Sequence, residues 1–270
     1  MIIKTILAAF TAATMLSACT GAPSGSSANS TQGAESTADS ASVSSTIEKI
    51  TSEVEKLTEE ITAGTSDSTK NDTAEETEMS QDVKYIALTF DDGPNAHYTP
   101  QVLDILYEQQ VPATFFLIGE KFTGNELLIR EIAASGHEIG NHTFSHPDLT
   151  QLDSRKIQWE IQQTEEKLKE ILPDYPMKYV RPPYGRYTED VQKAIGLPLV
   201  LWTIDSGDWE APNAENIYTA LIGKIQNGDI IVFHDDNAQT VKALEKIILE
   251  LKKRGFQFAT VSQLYEYESK

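Results

Sequence analysis

Tyr85-Ile86-Ala87-Leu88-Thr89-Phe90-Asp91-Asp92-Gly93-Pro94 is an apolar run that ends in two adjacent carboxylates and a Gly-Pro turn. A continuous apolar stretch of this length, bounded by turn residues, reads as a buried strand of a parallel sheet. The tip of such a strand is where parallel α/β folds present their reactive groups. Two like charges at one tip repel each other. They become tolerable when a cation neutralises one of them, or when the site drives their pKa values apart for acid/base chemistry. The alternative is a solvated turn, because Asp, Gly and Pro all favour turns.

Outward from this stretch the chain alternates strand and helix patterns. Further β-rich runs lie at Ala113–Ile118, Glu138–Asn141, Tyr179–Val180, Leu199–Ile204, Ile230–Phe233 and Phe256–Val261. Helical patterns lie at Gln101–Gln109, Glu126–Ala134, Ser154–Ile171, Asn216–Ile225 and Val241–Lys253, and Gly136, Gly196 and Gly255 stand where helices should stop. Seven strand–helix repeats predict an α/β fold with a parallel sheet that closes toward a barrel. About 185 residues is short for a regular eight-fold barrel of about 250. The expectation is a distorted, incomplete barrel over 83–270.

Five of the predicted strands are followed by ionisable or donor groups. Asp91 and Asp92 follow the first. Asn141-His142-Thr143-Phe144-Ser145-His146-Pro147 follows the third, and Arg181-Pro182-Pro183-Tyr184-Gly185 the fourth. Asp205-Ser206-Gly207-Asp208-Trp209 follows the fifth, and His234-Asp235-Asp236 the sixth. Barrel-type α/β enzymes assemble their sites at this one face. His142 and His146 are four residues apart, so one helical turn would place both imidazoles on one side. Two His and one carboxylate with open positions make a divalent-metal site, which polarises carbonyls and acidifies water. His137 lies an odd number of residues from His142 and is expected to face away as a structural residue. His97 is expected to be solvated or to rim the cleft.

The chain begins Met1-Ile2-Ile3-Lys4, then runs apolar from Thr5 to Leu16, and reaches Leu16-Ser17-Ala18-Cys19. The charged start and short apolar region read as a signal peptide over 1–18. The final four residues resemble the lipobox of bacterial lipoproteins, which implies lipidation of Cys19 and an extracytoplasmic, membrane-anchored protein. Cys19 is the sole cysteine, so neither an intramolecular disulfide nor a thiolate nucleophile in the protein body is available. Residues 19–82 read as an acidic, Ser/Thr-rich linker. Within it Val43, Ile47, Ile50, Val54, Leu57 and Ile61 follow a heptad spacing over 43–61. Under three heptads, a lone amphipathic helix in a monomer is expected over a coiled coil that pairs copies. The formal net charge is -19. That balance argues against nucleic acid or an anionic surface as partner.

The five strand-end segments, in this order and at these spacings, resemble the polysaccharide deacetylases with the NodB homology domain, carbohydrate esterase family 4, over roughly residues 83–268. The resemblance implies a distorted (β/α)7 barrel and metal-dependent removal of acetyl groups from N-acetylated sugars. Asp92, His142 and His146 would bind the metal, one divalent ion of which zinc is the first candidate and cobalt or another divalent ion the next. Asp91 would be the general base, held ionised by Arg181. The backbone N–H of Tyr184 would stabilise the oxyanion, and His234 would protonate the leaving amine. Asp208 would orient His234, with Asp205 the other candidate for that role. Trp209 and Tyr184 would wall the substrate groove.

One position departs from the family pattern. The fifth motif usually has Leu two residues before its His, lining the acetate-methyl pocket, and here that residue is Val232. One methylene less is worth about 1 kcal/mol of apolar contact. The leading function is hydrolytic N-deacetylation of N-acetylglucosamine polymers, peptidoglycan or chitin-type oligomers. An acetylxylan O-esterase and an inactive sugar-binding lipoprotein are the alternatives.

Overall fold

The computed structural model describes residues 83–269. The signal peptide, Cys19 and the 43–61 heptads lie outside the described residues. Six strands form one parallel sheet among the described residues: β1 (Lys84–Asp91), β2 (Thr114–Leu117), β3 (Glu138–Asn141), β4 (Ile204–Asp205), β5 (Ile230–His234) and β6 (Phe256–Ala259). The order is β3-β2-β1-β5-β4, with β6 also paired to β1. Central position explains the composition of β1. Ile86 to Phe90 are all fully buried: Ile86, Leu88 and Phe90 pack among helix residues, while Ala87 and Thr89 face the inner side beside Phe116, Val200 and Arg181.

The helices are α1 (Thr99–Glu108), α2 (Glu126–Ala134), α3 (Ser154–Ile171), α4 (Glu189–Ile195), α5 (Ala214–Leu221), α6 (Ala238–Lys253) and α7 (Val261–Glu268). Each of α3 to α7 starts at a side chain that accepts from a backbone N–H of its first turn: Asp153, Thr188, Asn213, Asn237 and Thr260. At the other end of α4, Gly196 takes φ +72°, the left-handed stop that glycine adopts without strain. Ile157, Ile161, Leu168 and Ile171 form the buried stripe of α3. Among the described residues no helix is long and apolar enough to cross a membrane.

The predicted fourth and fifth strands shrink. Tyr179–Val180 contributes only single bridges, Val180 to Asn141 and Val180 to Leu199, and the fifth is reduced to Ile204–Asp205. Prolines account for it: Pro182, Pro183 and Pro198 flank these segments and cannot donate to a ladder. The wall between β3 and β4 is therefore carried by bridges, and the barrel is distorted and incomplete. Val261 leaves the sheet and opens α7, because Thr260 and Gln263 form a capping box there.

Candidate active site

The sheet register sets the site. Asp91, the last residue of β1, lies directly opposite His234, the last residue of β5, and Asp205 lies opposite Val232. The Arg181 N–H donates to the Asn141 carbonyl at 2.9 Å, which brings the fourth segment alongside β3. A cavity of about 620 Å³ opens here, and Asp91, Asp92, His142, His146, Tyr184, Trp209, Val232 and His234 all line it. Arg186, Trp202, Asp205, Asp236 and Asn237 complete the lining.

Arg181 is the largest fully buried side chain among the described residues, at 0% exposure. Its Nη1 donates to Asp91 Oδ1 at 2.7 Å and to Thr89 Oγ1 at 2.7 Å. Nε donates to the Val200 carbonyl at 3.1 Å and Nη2 to the Leu201 carbonyl at 3.0 Å. The guanidinium also lies 4.0 Å from the centroid of the Phe116 ring. A buried charge needs such saturation, since an unpaired one costs several kcal/mol. With Oδ1 of Asp91 tied to Arg181, Oδ2 faces the cavity, 3.8 Å from His142 Nε2.

Asp92 turns the opposite way because its φ is +71°. Its Oδ1 is buried and accepts no hydrogen bond, yet His142 Nε2 lies 3.4 Å and His146 Nε2 3.2 Å from it. One ligand atom from each of these three residues falls within 4.8 Å of the others. His142 Nδ1 donates to the Arg181 carbonyl at 2.7 Å, the tautomer that leaves the Nε2 lone pair facing Asp92. A buried, unsatisfied carboxylate oxygen between two imidazole acceptors is a donor set that fits a divalent metal. Burial raises the Asp92 carboxyl, but when the imidazoles are protonated the His142 bond and the charges of His142, His146 and His234 outweigh it and hold it far below the usual carboxylate range. Burial lowers His146, and the neighbouring His142 lowers it further.

His142 and His146 meet without the helical turn that their spacing suggested. The segment is a loop with Thr143 at φ +67° and His146 at φ +57°. Glu160, buried on the inner face of α3, holds it. Glu160 Oε2 accepts from the N–H groups of Phe144 and Ser145 at 2.9 and 2.8 Å, and Oε1 from the Ser145 hydroxyl at 2.7 Å. These three bonds stand in for the backbone bonds that a helical turn would have made.

Across the cavity, His234 Nδ1 is 2.7 Å from Asp208 Oδ1, and Asp208 Oδ2 accepts from the His234 N–H at 2.7 Å and the Thr240 hydroxyl at 2.5 Å. Asp205 is exposed and accepts from the Gly207 N–H instead, so the His234 bond falls on Asp208. Burial opposes charge on His234, yet Asp208, through its hydrogen bond and its charge, and then Asp91 and Asp92 carry it up to about 9. Burial raises Asp208, but the His234 bond and charge bring it below its ordinary value. Tyr184 takes φ +60° in the 3-10 turn Pro183–Gly185, and its ring meets His146 edge-on at 4.8 Å. Trp209 is 64% exposed and Val232 is 1% exposed.

His137 is buried away from the site and accepts from the Ala113 N–H at 3.2 Å; burial holds its pKa down to about 4. His97 is exposed and does not line the cavity. Sequence reading missed Glu160, Thr240, Lys121, and Asp235 as an anchor. Glu160 alone had a signal, a carboxylate sitting on the apolar stripe of α3 between Ile157 and Ile161. Thr240 comes from the first turn of α6, Lys121 from a 3-10 turn and Asp235 from just past β5, placements that no periodicity encodes.

A family model described as polysaccharide deacetylase matches residues 78–200. A peptidoglycan-N-acetylglucosamine deacetylase of Bacillus cereus is 39% identical over 199 residues, covering 71% of this chain and 92% of that protein. A chitooligosaccharide deacetylase of Sinorhizobium fredii is 37% identical over 194 residues, covering 66% of this chain and 90% of that protein. The solved structure of peptidoglycan deacetylase PdaC from Bacillus subtilis aligns with a TM-score of 0.67 at 34% identity, over 70% of this chain and 93% of that one.

Proposed function

The chain belongs to the polysaccharide deacetylase family, and on that premise we propose that it is a metal-dependent N-deacetylase of N-acetylglucosamine polymers, peptidoglycan first and chitin-type oligomers second, anchored outside the membrane through Cys19. The observation that carries this reading is the split between neighbouring carboxylates. Asp92 Oδ1 lies bare between two imidazoles, while Asp91 Oδ2 is open to the cavity beside it. The anchor rests on the Leu16–Cys19 sequence and the substrate class on the relatives.

A divalent metal on Asp92, His142 and His146 supplies a Lewis acid for the amide carbonyl and lowers the pKa of water. Asp91 Oδ2 takes the proton of the attacking water, whose oxygen bonds to the acetyl carbon. The Tyr184 N–H is the donor to the oxygen that gains charge. The C–N bond then breaks, His234 gives its proton to the sugar nitrogen, and acetate and a free amine leave. Trp209 and Tyr184 offer aromatic faces to the sugar rings, and Val232 bounds the methyl pocket.

Acetate and free amine should appear from chitooligosaccharides or peptidoglycan fragments, disappear with a chelator, and return with zinc or cobalt. Acetate from acetylated xylan alone supports the O-esterase instead. Glycan binding with no acetate, even with added metal, supports a sugar-binding lipoprotein.

The pH dependence follows from His234. Its folded pKa is raised above the ordinary 6.5, so its contribution to stability is full below 6.5 and is lost as pH rises through about 9. As the acid it must be protonated, so kcat/KM should fall on an alkaline limb. A bound dication cancels the help from Asp91 and Asp92 but leaves the Asp208 hydrogen bond. The limb therefore lies between 6.5 and about 9. Asp208→Asn should move it toward 6.5 or below. An unmoved limb in the pH profile of that variant assigns the acid elsewhere.

A further inference from the structure

Asp92 reaches the two histidines only because its backbone is left-handed, at φ +71°. Such a conformation in a non-glycine residue persists when the surroundings fix it. Three contacts do so. The Gly93 carbonyl accepts from the Ile118 N–H at 2.8 Å. The Asp91 carbonyl accepts from the Asp235 N–H at 3.3 Å, and the buried Asp235 carboxyl, held by the Thr99 hydroxyl, lies so close under Gly93 that a Cβ there would come within 2.5 Å of it. The third contact is a charge-assisted hydrogen bond. Lys121, half-buried at the end of the 3-10 turn Gly119–Lys121, points its Nζ at the Asp92 carbonyl, 2.6 Å away.

A cation in that place is otherwise a liability. Its charge would repel a dication on the three ligands. A neutral side chain would fill the space without that repulsion. What the ammonium adds is a strong hydrogen bond to the carbonyl of Asp92 itself, within the backbone that carries the ligand side chain. We propose that Lys121 is a positioning residue of the metal centre, holding the Asp92 backbone in the conformation that aims its carboxylate between His142 and His146. This rests on reading the three residues as a metal site.

Contacts that orient a metal ligand are typically worth 10- to 100-fold in metal affinity. The test is zinc affinity of the full chain, measured by competition with a chromophoric chelator, for the unaltered protein, H142A, K121M and K121R. K121M keeps the apolar stem and loses the donor. K121R keeps a charged donor within reach of the carbonyl. The expected result is about 10- to 100-fold weaker zinc binding for K121M and recovery of most of that loss in K121R, with thermal unfolding of the metal-free proteins unchanged. K121M binding zinc as well as or more tightly than the unaltered chain overturns the proposal, because charge repulsion then outweighs positioning. Equal losses in K121M and K121R overturn it too. If K121M does not fold, K121Q, whose amide falls short of the carbonyl, carries the same comparison. Zinc bound by the unaltered protein and lost in H142A keeps the metal reading independent of Lys121, whereas no binding by the unaltered protein overturns both.

Discussion

Asp91→Asn is expected to lower turnover by about 10²- to 10⁴-fold, the range that a positioned general base contributes, while leaving zinc binding intact. The amide is the same size as the carboxylate and still accepts from Arg181 through one oxygen, so the geometry at the tip of β1 survives. What disappears is the second oxygen as a proton acceptor. Oδ1 of Asp91 is occupied by Arg181 at 2.7 Å, and Oδ2 is the atom turned toward the cavity, 3.8 Å from His142 Nε2. Acetate release under saturating substrate and zinc measures the effect. Turnover at the level of the unaltered enzyme removes Asp91 from the base role.

The second large effect falls on stability. Arg181→Met should destabilise the domain by about 3–5 kcal/mol, the cost of leaving one partner of a buried ion pair uncompensated. The substitution strands Asp91 at 3% exposure and withdraws donors from Thr89 and from the carbonyls of Val200 and Leu201. The double variant with Asp91→Asn should lose less than the sum of the two single changes, because the stranded charge is then gone. Urea unfolding of the metal-free proteins reads both values. A loss near zero in R181M would show that the guanidinium is dispensable to the fold.

Residues with a strong local pattern were legible in the sequence. The apolar run before Asp91 announced a buried central strand. The stripe of α3 announced its helix at the bounds the structure gives, Ser154–Ile171. Where the pattern was short, tertiary context decided. The apolar pair Tyr179–Val180 looks like a strand, but prolines on its flanks leave it single bridges. Of α4 the sequence marked only the stop at Gly196, and α7 lay inside a predicted strand end. α4 is only seven residues long, and α7 begins inside an apolar run that a capping box at Thr260 diverts from the sheet. The His142–His146 spacing was read as a helical turn because four residues is the helical repeat. The structure reaches the same juxtaposition by a different route, two left-handed residues flanking Phe144 and Ser145, whose N–H groups Glu160 holds. That bond spans 16 residues and leaves no mark on local periodicity. The choice between Asp205 and Asp208 was also closed to sequence, since both lie near one strand end. The turn at Ser206-Gly207 is what aims one at solvent and the other at His234.

Two adjacent carboxylates divide the labour, one for the metal and one for the proton. Zinc titration of Asp91→Asn and Asp92→Asn in parallel tests this division most directly. The geometry predicts that D91N binds zinc with the affinity of the unaltered protein and that D92N binds too weakly to compete with the chelator. The reverse pattern, zinc lost in D91N and kept in D92N, would make Asp91 the metal ligand and remove Asp92 from that role.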